Sequence, residues 1–171
     1  MRLVAVLPSA IRFLCAEELT TLSFYLFRTA AEGLCWTTKA IIEIDGSRFN
    51  SLDGFYAEIS ARLIPGARWG KNFDAFNDIL RGGFGTPEAG FKLRWVNFQR
   101  SRENLGYAET IRWLEKKIEH CHPDNVESVK KEIESARRGE GPTVADIIID
   151  IIRMHGPGGD EEEDGVELEL A

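Results

Sequence analysis

Asp74 and Asp78 stand four positions apart in the stretch Arg68-Trp69-Gly70-Lys71-Asn72-Phe73-Asp74-Ala75-Phe76-Asn77-Asp78-Ile79-Leu80-Arg81-Gly82. On a helix this spacing stacks two side chains one turn apart on the same face. Two like charges so placed cost an isolated helix roughly 0.2–0.5 kcal/mol. A cationic surface brought from outside would compensate, because carboxylates accept charge-assisted hydrogen bonds from Lys, Arg and His. Without such a partner, Asp74 simply complements the helix dipole and Asp78 pairs with Arg81 at i+3. Spacing alone favours that second reading, a charged and solvated helix face.

Other residue groups have the types for chemistry but not the arrangement. No Gly-x-Ser-x-Gly, no nucleotide fingerprint and no cysteine with a sequence-suggested histidine partner is present, so no enzyme is expected. Gly82-Gly83-Phe84-Gly85 lacks the Lys and Ser/Thr of a phosphate loop and follows no strand; it reads as a turn. His120-Cys121-His122 has no second ligand pair at zinc spacing. Neither a metal nor another cofactor is expected.

The elements that must position the two carboxylates follow from periodicity. Asn72 predicts an N-cap, Phe73, Phe76, Ile79 and Leu80 an inward stripe, and Gly82 the end of that helix. Upstream, Lys39 to Ile44 is an apolar run closed by Asp45-Gly46, a buried strand. Asp53 to Leu63 predicts a helix with Phe55, Ile59 and Leu63 inward, stopped by Pro65-Gly66. Downstream, Phe91, Leu93 and Trp95 alternate with Lys92 and Arg94, a strand with one buried face. Residues 106–138 predict two helices, with Ile111, Leu114 and Ile118 on the first and Val126, Val129 and Ile133 on the second. Thr143 and Asp146 form a capping-box pattern ahead of Ile147, Ile148, Ile151 and Ile152. Residues 156–164 are a flexible acidic loop. Val166, Leu168 and Leu170 alternate with acids, as an edge strand or a disordered tail would.

Composition bounds the whole. The 171 residues are 43% hydrophobic, which suits one globular domain with a sizeable core. Net charge is −7, but Asp160 to Glu169 holds seven acids and no base, and the remaining chain is balanced. The acidity therefore belongs to one segment, says little about the folded body and argues only weakly against nucleic-acid binding. Direct contact with nucleic acid is nonetheless not expected. Three widely spaced cysteines give no disulfide framework and suit a reducing compartment. Residues 1–38 are the least legible part, with an apolar stretch at Leu19 to Phe27 that suits a helix or a membrane-surface segment. Met1 to Leu7 begins like a secretion signal, but Pro8 and Arg12 interrupt it, and no stretch reaches the roughly 18 apolar residues of a membrane span.

The stretch Trp69-Gly70-Lys71-Asn72-Phe73-Asp74-Ala75-Phe76-Asn77-Asp78 resembles the hallmark of the barstar family, small intracellular inhibitors of bacterial ribonucleases. That hallmark is an aromatic, Gly, any residue, Asn, an apolar residue, Asp-Ala, an apolar residue, any residue and Asp. Ile42 to Gly46, Phe49 to Phe55 and Phe91 to Trp95 extend the likeness to both sides. The resemblance implies an α/β fold, a small three-stranded parallel sheet covered by helices, ending on a strand at 165–171. It makes 106–138 an inserted helical pair and 1–38 a dispensable extension to a domain at 39–171. It implies a cytoplasmic monomer that binds a basic nuclease one to one, docking an acidic helix face into the cationic active site. Asp74 and Asp78 then carry the contact, with Gly70 and Asn72 in the approach loop and Asn77, Arg81 and Gly82 at the rim. Asn77 stands where the family often has Trp, and Arg68 and Gly83 replace frequent aromatics, which implies a weaker complex or a different nuclease. The alternative is a protein of the same fold whose partner is not a ribonuclease.

Overall fold

The structure, a computed structural model, describes residues 39–171. The expectations for residues 1–38 fall outside the described residues.

Three parallel strands form one open sheet in the order β1 (Ala40–Asp45), β2 (Phe91–Val96), β3 (Glu167–Leu170). Six helices connect them: α1 (Leu52–Arg62), α2 (Phe73–Arg81), α3 (Phe98–Asn104), α4 (Tyr107–His120), α5 (Val126–Arg137) and α6 (Val144–Met154). The α/β class and the three-stranded parallel sheet expected above are those observed.

Strand order equals chain order, and right-handed crossovers that always move the same way place their helices on one face of the sheet. Burial follows that geometry. Phe91, Leu93 and Trp95 are buried with Ile44, while Lys92 and Arg94 on the other face stay half-exposed. That second face carries a charge ladder: Arg94 pairs with Glu169 at 2.9 Å, Lys92 with Glu169 at 3.6 Å, and Lys39 with Glu167 at 2.8 Å. A parallel sheet usually reads as continuous apolar runs because both faces are covered. The alternation in β2 and β3 is the mark of a sheet covered once.

The helical side is packed with aromatics. Trp95 lies 5.6 Å from Phe55, Phe55 is 5.9 Å from Tyr56, and Phe73 meets Trp113 edge-on at 5.1 Å. This chain of rings ties β2, α1, α2 and α4 into one core. A smaller cluster, Leu114, Val129 and Ile133, holds α4 against α5. On α6, Val144, Ala145, Ile148, Ile149 and Ile152 are buried, whereas Ile147 and Ile151 are only partly so. The inward stripe is therefore centred about one position later than the periodicity predicted.

Two points were not anticipated. Helix α3 did not emerge from the periodicity; it starts after Asn97, whose backbone is left-handed (φ 53°) and whose side chain makes no cap. It is held instead by packing: Ser101 is fully buried against Gly46. A Cβ on Gly46 would lie 2.6 Å from Ser101 Oγ and 2.7 Å from the Asn97 carbonyl oxygen, so only glycine fits there. Along the final strand, Val166 is buried, Leu168 half-buried and Leu170 exposed. The expected apolar face thus thins toward the C-terminus.

Candidate functional site

Helix α2 is set by local chemistry. Asn72 is extended at the N-cap, and its Oδ1 accepts from the Ala75 backbone N–H at 2.7 Å. Phe76, Ile79 and Leu80 are buried, and the helix packs on α6. Phe73 is half-buried between Tyr56 and Trp113. Gly82 ends the helix at φ 106°, a conformation costly for any residue with a Cβ.

The approach loop is anchored at Trp69, whose indole N–H donates to Ser60 Oγ at 2.8 Å and whose ring meets Tyr56 edge-on. Gly70 follows, exposed. A Cβ there would lie 3.1 Å from the Asn72 side-chain nitrogen and 3.3 Å from Ala75 Cβ, pressing on the cap itself. Lys71 then takes a left-handed backbone (φ 49°), which turns the chain into the helix.

Asp74 and Asp78 both point to solvent. Burial pushes the Tyr56 hydroxyl well above its ordinary range, and the charges of Asp53 and Asp74 push it further. Asp53 is itself paired with Lys116 at 3.3 Å. Gly70, Asn72, Asp74, Asp78 and Arg81 are each exposed, and Gly82 is half-buried where α2 ends.

Asn77 and Arg81 do not stand free at the rim. Asn77 Oδ1 is 3.0 Å from Nε2 of His155, a fully buried ring just past the end of α6. The other ring nitrogen, Nδ1, is 2.7 Å from Asp164 Oδ2 and 3.3 Å from Glu161 Oε2. Arg81 donates from Nε to Glu161 Oε2 at 2.7 Å, from Nη2 to Glu161 Oε1, and from Nη1 to Asp78 Oδ1 at 3.3 Å. The segment 156–164 thus folds against α2 through two polar ties. Sequence reasoning missed His155, Glu161 and Asp164. The one local sign was a histidine at the end of an apolar helix, and nothing in it named Asn77 as the partner.

His155, Glu161 and Asp164 bring three possible metal-ligand atoms within 4.8 Å of one another. The Arg81 guanidinium already occupies Glu161, and its positive charge opposes a cation there, so the group is a hydrogen-bonded network around the Arg81–Glu161 ion pair. His120, Cys121 and His122 do not converge with other ligands among the described residues. Among the same residues, no helix is long and apolar enough to cross a membrane.

A family model described as Barstar (barnase inhibitor) matches residues 39–134, more than half of the chain. A comparison with curated proteins finds no match.

Proposed function

The chain belongs to the barstar family, and from that premise we propose that it inhibits a ribonuclease by docking the acidic face of α2 into the enzyme's cationic active site. The observation that carries this reading is the pairing of two exposed carboxylates, Asp74 and Asp78, on one face of a capped helix inside the matched region. A cleft that arranges Lys, Arg and His around RNA phosphates offers carboxylates the same charge-assisted hydrogen bonds. The inhibitor then needs no chemistry of its own. It competes with RNA for the cleft, and it acts as a monomer in a one-to-one complex.

Asp78 is the sharper probe of the two. It lies one turn from the helix start, so its carboxylate adds little to the dipole interaction. Asp78→Ala removes a solvated pair with Arg81 and relieves repulsion from Asp74, effects of similar size and opposite sign. The melting temperature is expected within about 3 °C of wild type. Binding is expected to weaken by about tenfold or more, because a partner cation desolvated at the interface loses its counter-charge. Calorimetry with catalytically inactive barnase as the probe, at two salt concentrations, tests this. Wild-type affinity should fall as salt rises while stability hardly changes. Full binding by Asp78→Ala removes the acidic face from the interface.

A second reading then takes over. The α4–α5 pair encloses a groove of 410 Å³ lined by Trp113, Leu114, Lys131, Ala136 and Pro142 among others. It is the feature that fits a barstar-fold protein with a partner other than a ribonuclease.

A further inference from the structure

Arg81 is shared between two carboxylates, and unequally. Glu161 takes the Nε–Nη2 edge of the guanidinium with two bonds, whereas Asp78 receives a single bond from Nη1 at 3.3 Å. The side-on, two-donor edge is the strong way for a guanidinium to hold a carboxylate, and one edge serves one carboxylate at a time. Glu161 is also the less solvated competitor: its side chain is 27% exposed against 59% for Asp78, so water screens its attraction less.

Glu161 is itself held from behind. Its backbone N–H donates to the Met154 carbonyl at 2.8 Å, and the buried His155 ring faces its Oε2 at 3.3 Å. The same ring reaches Asn77 on α2, so the loop and the helix keep their spacing.

We propose that Glu161 is a positioning residue for the Asp78 contact: by capturing the two-donor edge of Arg81 it leaves the Asp78 carboxylate available to a cation of the partner. This rests on the docking face assigned above. Arg81 lies at i+3 from Asp78 and is its nearest internal counter-charge. Released from Glu161, the guanidinium would turn its stronger edge to Asp78 and neutralise it from within the inhibitor. The titration directions agree with the geometry. The hydrogen bond to Arg81 is the main cause holding the Glu161 carboxyl below its ordinary range, and the bond to Glu161 contributes more than Asp78 to raising Arg81. Glu161 need touch no partner to do this.

The test is a double-mutant cycle in the full chain with Glu161→Gln, Arg81→Gln and the pair. Two quantities are read: the titration of the Asp78 carboxyl carbon by NMR, and the dissociation constant for inactive barnase. Glu161→Gln is expected to lower the Asp78 pKa and to weaken barnase binding about two- to fivefold, the range of a solvated ion pair. In the Arg81→Gln background the same change is expected to move neither. An Asp78 titration that does not move overturns the proposal. So does one that moves equally with and without Arg81, since Glu161 then acts only as a distant charge. The NMR arm needs no partner. If Asp78→Ala binds barnase like wild type, the docking face fails while the cycle still decides how Glu161 acts on Asp78.

Discussion

Asp74 and Asp78 differ by one helical turn and by what surrounds them. Asp74 sits in the first turn beside the Asn72 cap, where the dipole favours a carboxylate. Asp74→Ala is therefore expected to cost about 0.3–1 kcal/mol of stability, measurable by urea unfolding, as well as binding. Asp146 is a carboxylate with a purely structural task. Its Oδ2 accepts from the Thr143 N–H at 2.9 Å and the Thr143 hydroxyl at 2.6 Å, closing a capping box on α6. Burial raises its pKa, but the two Thr143 bonds outweigh that, with help from Arg102, and the carboxyl titrates below its ordinary range. A depressed folded pKa gives stability that is complete above the unfolded value, about 3.9 for Asp, and lost as pH falls through the folded value. Asp146→Asn is expected to cost about 0.5–1 kcal/mol at pH 7, the size of a partly solvated cap. The gap to wild type should narrow as pH drops below about 4. A gap of constant size across that range would show that the charge of Asp146 is not what the cap uses.

At the scale of elements, α2 stands on its ends and β3 on its neighbours. Asn72→Ala removes one cap bond and is expected to cost about 1 kcal/mol, with no change in the charge of the exposed face of α2. Strand β3 pairs with β2 over Lys92–Trp95, and the Ala171 N–H reaches the Trp95 carbonyl at 2.9 Å. Phe98 at the start of α3 returns a bond to the Ala171 carbonyl. Deleting 165–171 breaks these bonds and uncovers one flank of β2. Thermal unfolding of the shortened chain is expected to be broad and lower by more than about 10 °C, since several kcal/mol of burial is lost from a marginally stable domain. A sharp melt at the wild-type temperature would return this segment to a tail.

At the scale of the whole molecule, the described residues form one large core and one small one. The α4–α5 cluster of Leu114, Val129 and Ile133 is separate from the aromatic core, and Trp113 bridges the two by packing on both. Small satellite clusters open before the main core does. Ile133→Ala leaves a cavity and is expected to cost about 2–4 kcal/mol locally. Hydrogen exchange should then quicken in α5 while β2 amides keep their protection. Equal acceleration in both would mean that the α4–α5 pair and the sheet unfold as one unit.

Much of this protein is written locally. The cap at Asn72, the stop at Gly82 and the apolar spacing between them specify α2, because each acts within a turn or two of the backbone it shapes. The strand at Trp95 follows from alternation in the same way, and the motif around Asp74 and Asp78 carries the resemblance. The strand ending at Ile44 follows from its apolar run, but it is not the buried strand expected, because β1 lies at the sheet edge, where Ile44 is buried and Ile41 exposed. Tertiary structure decided the rest. Helix α3 has no side-chain cap and is kept by Ser101 packing under Gly46, a contact between segments 55 residues apart. Asn77 finds His155 across 78 positions, and Arg81 finds Glu161 across 80. No period or local propensity encodes such pairs; they arise only when strand order and crossover handedness bring the end of α6 beside α2. The sequence by itself determined which helix faces outward with two carboxylates, and only the folded chain decided that Asn77 and Arg81 beside them are tied to His155 and Glu161.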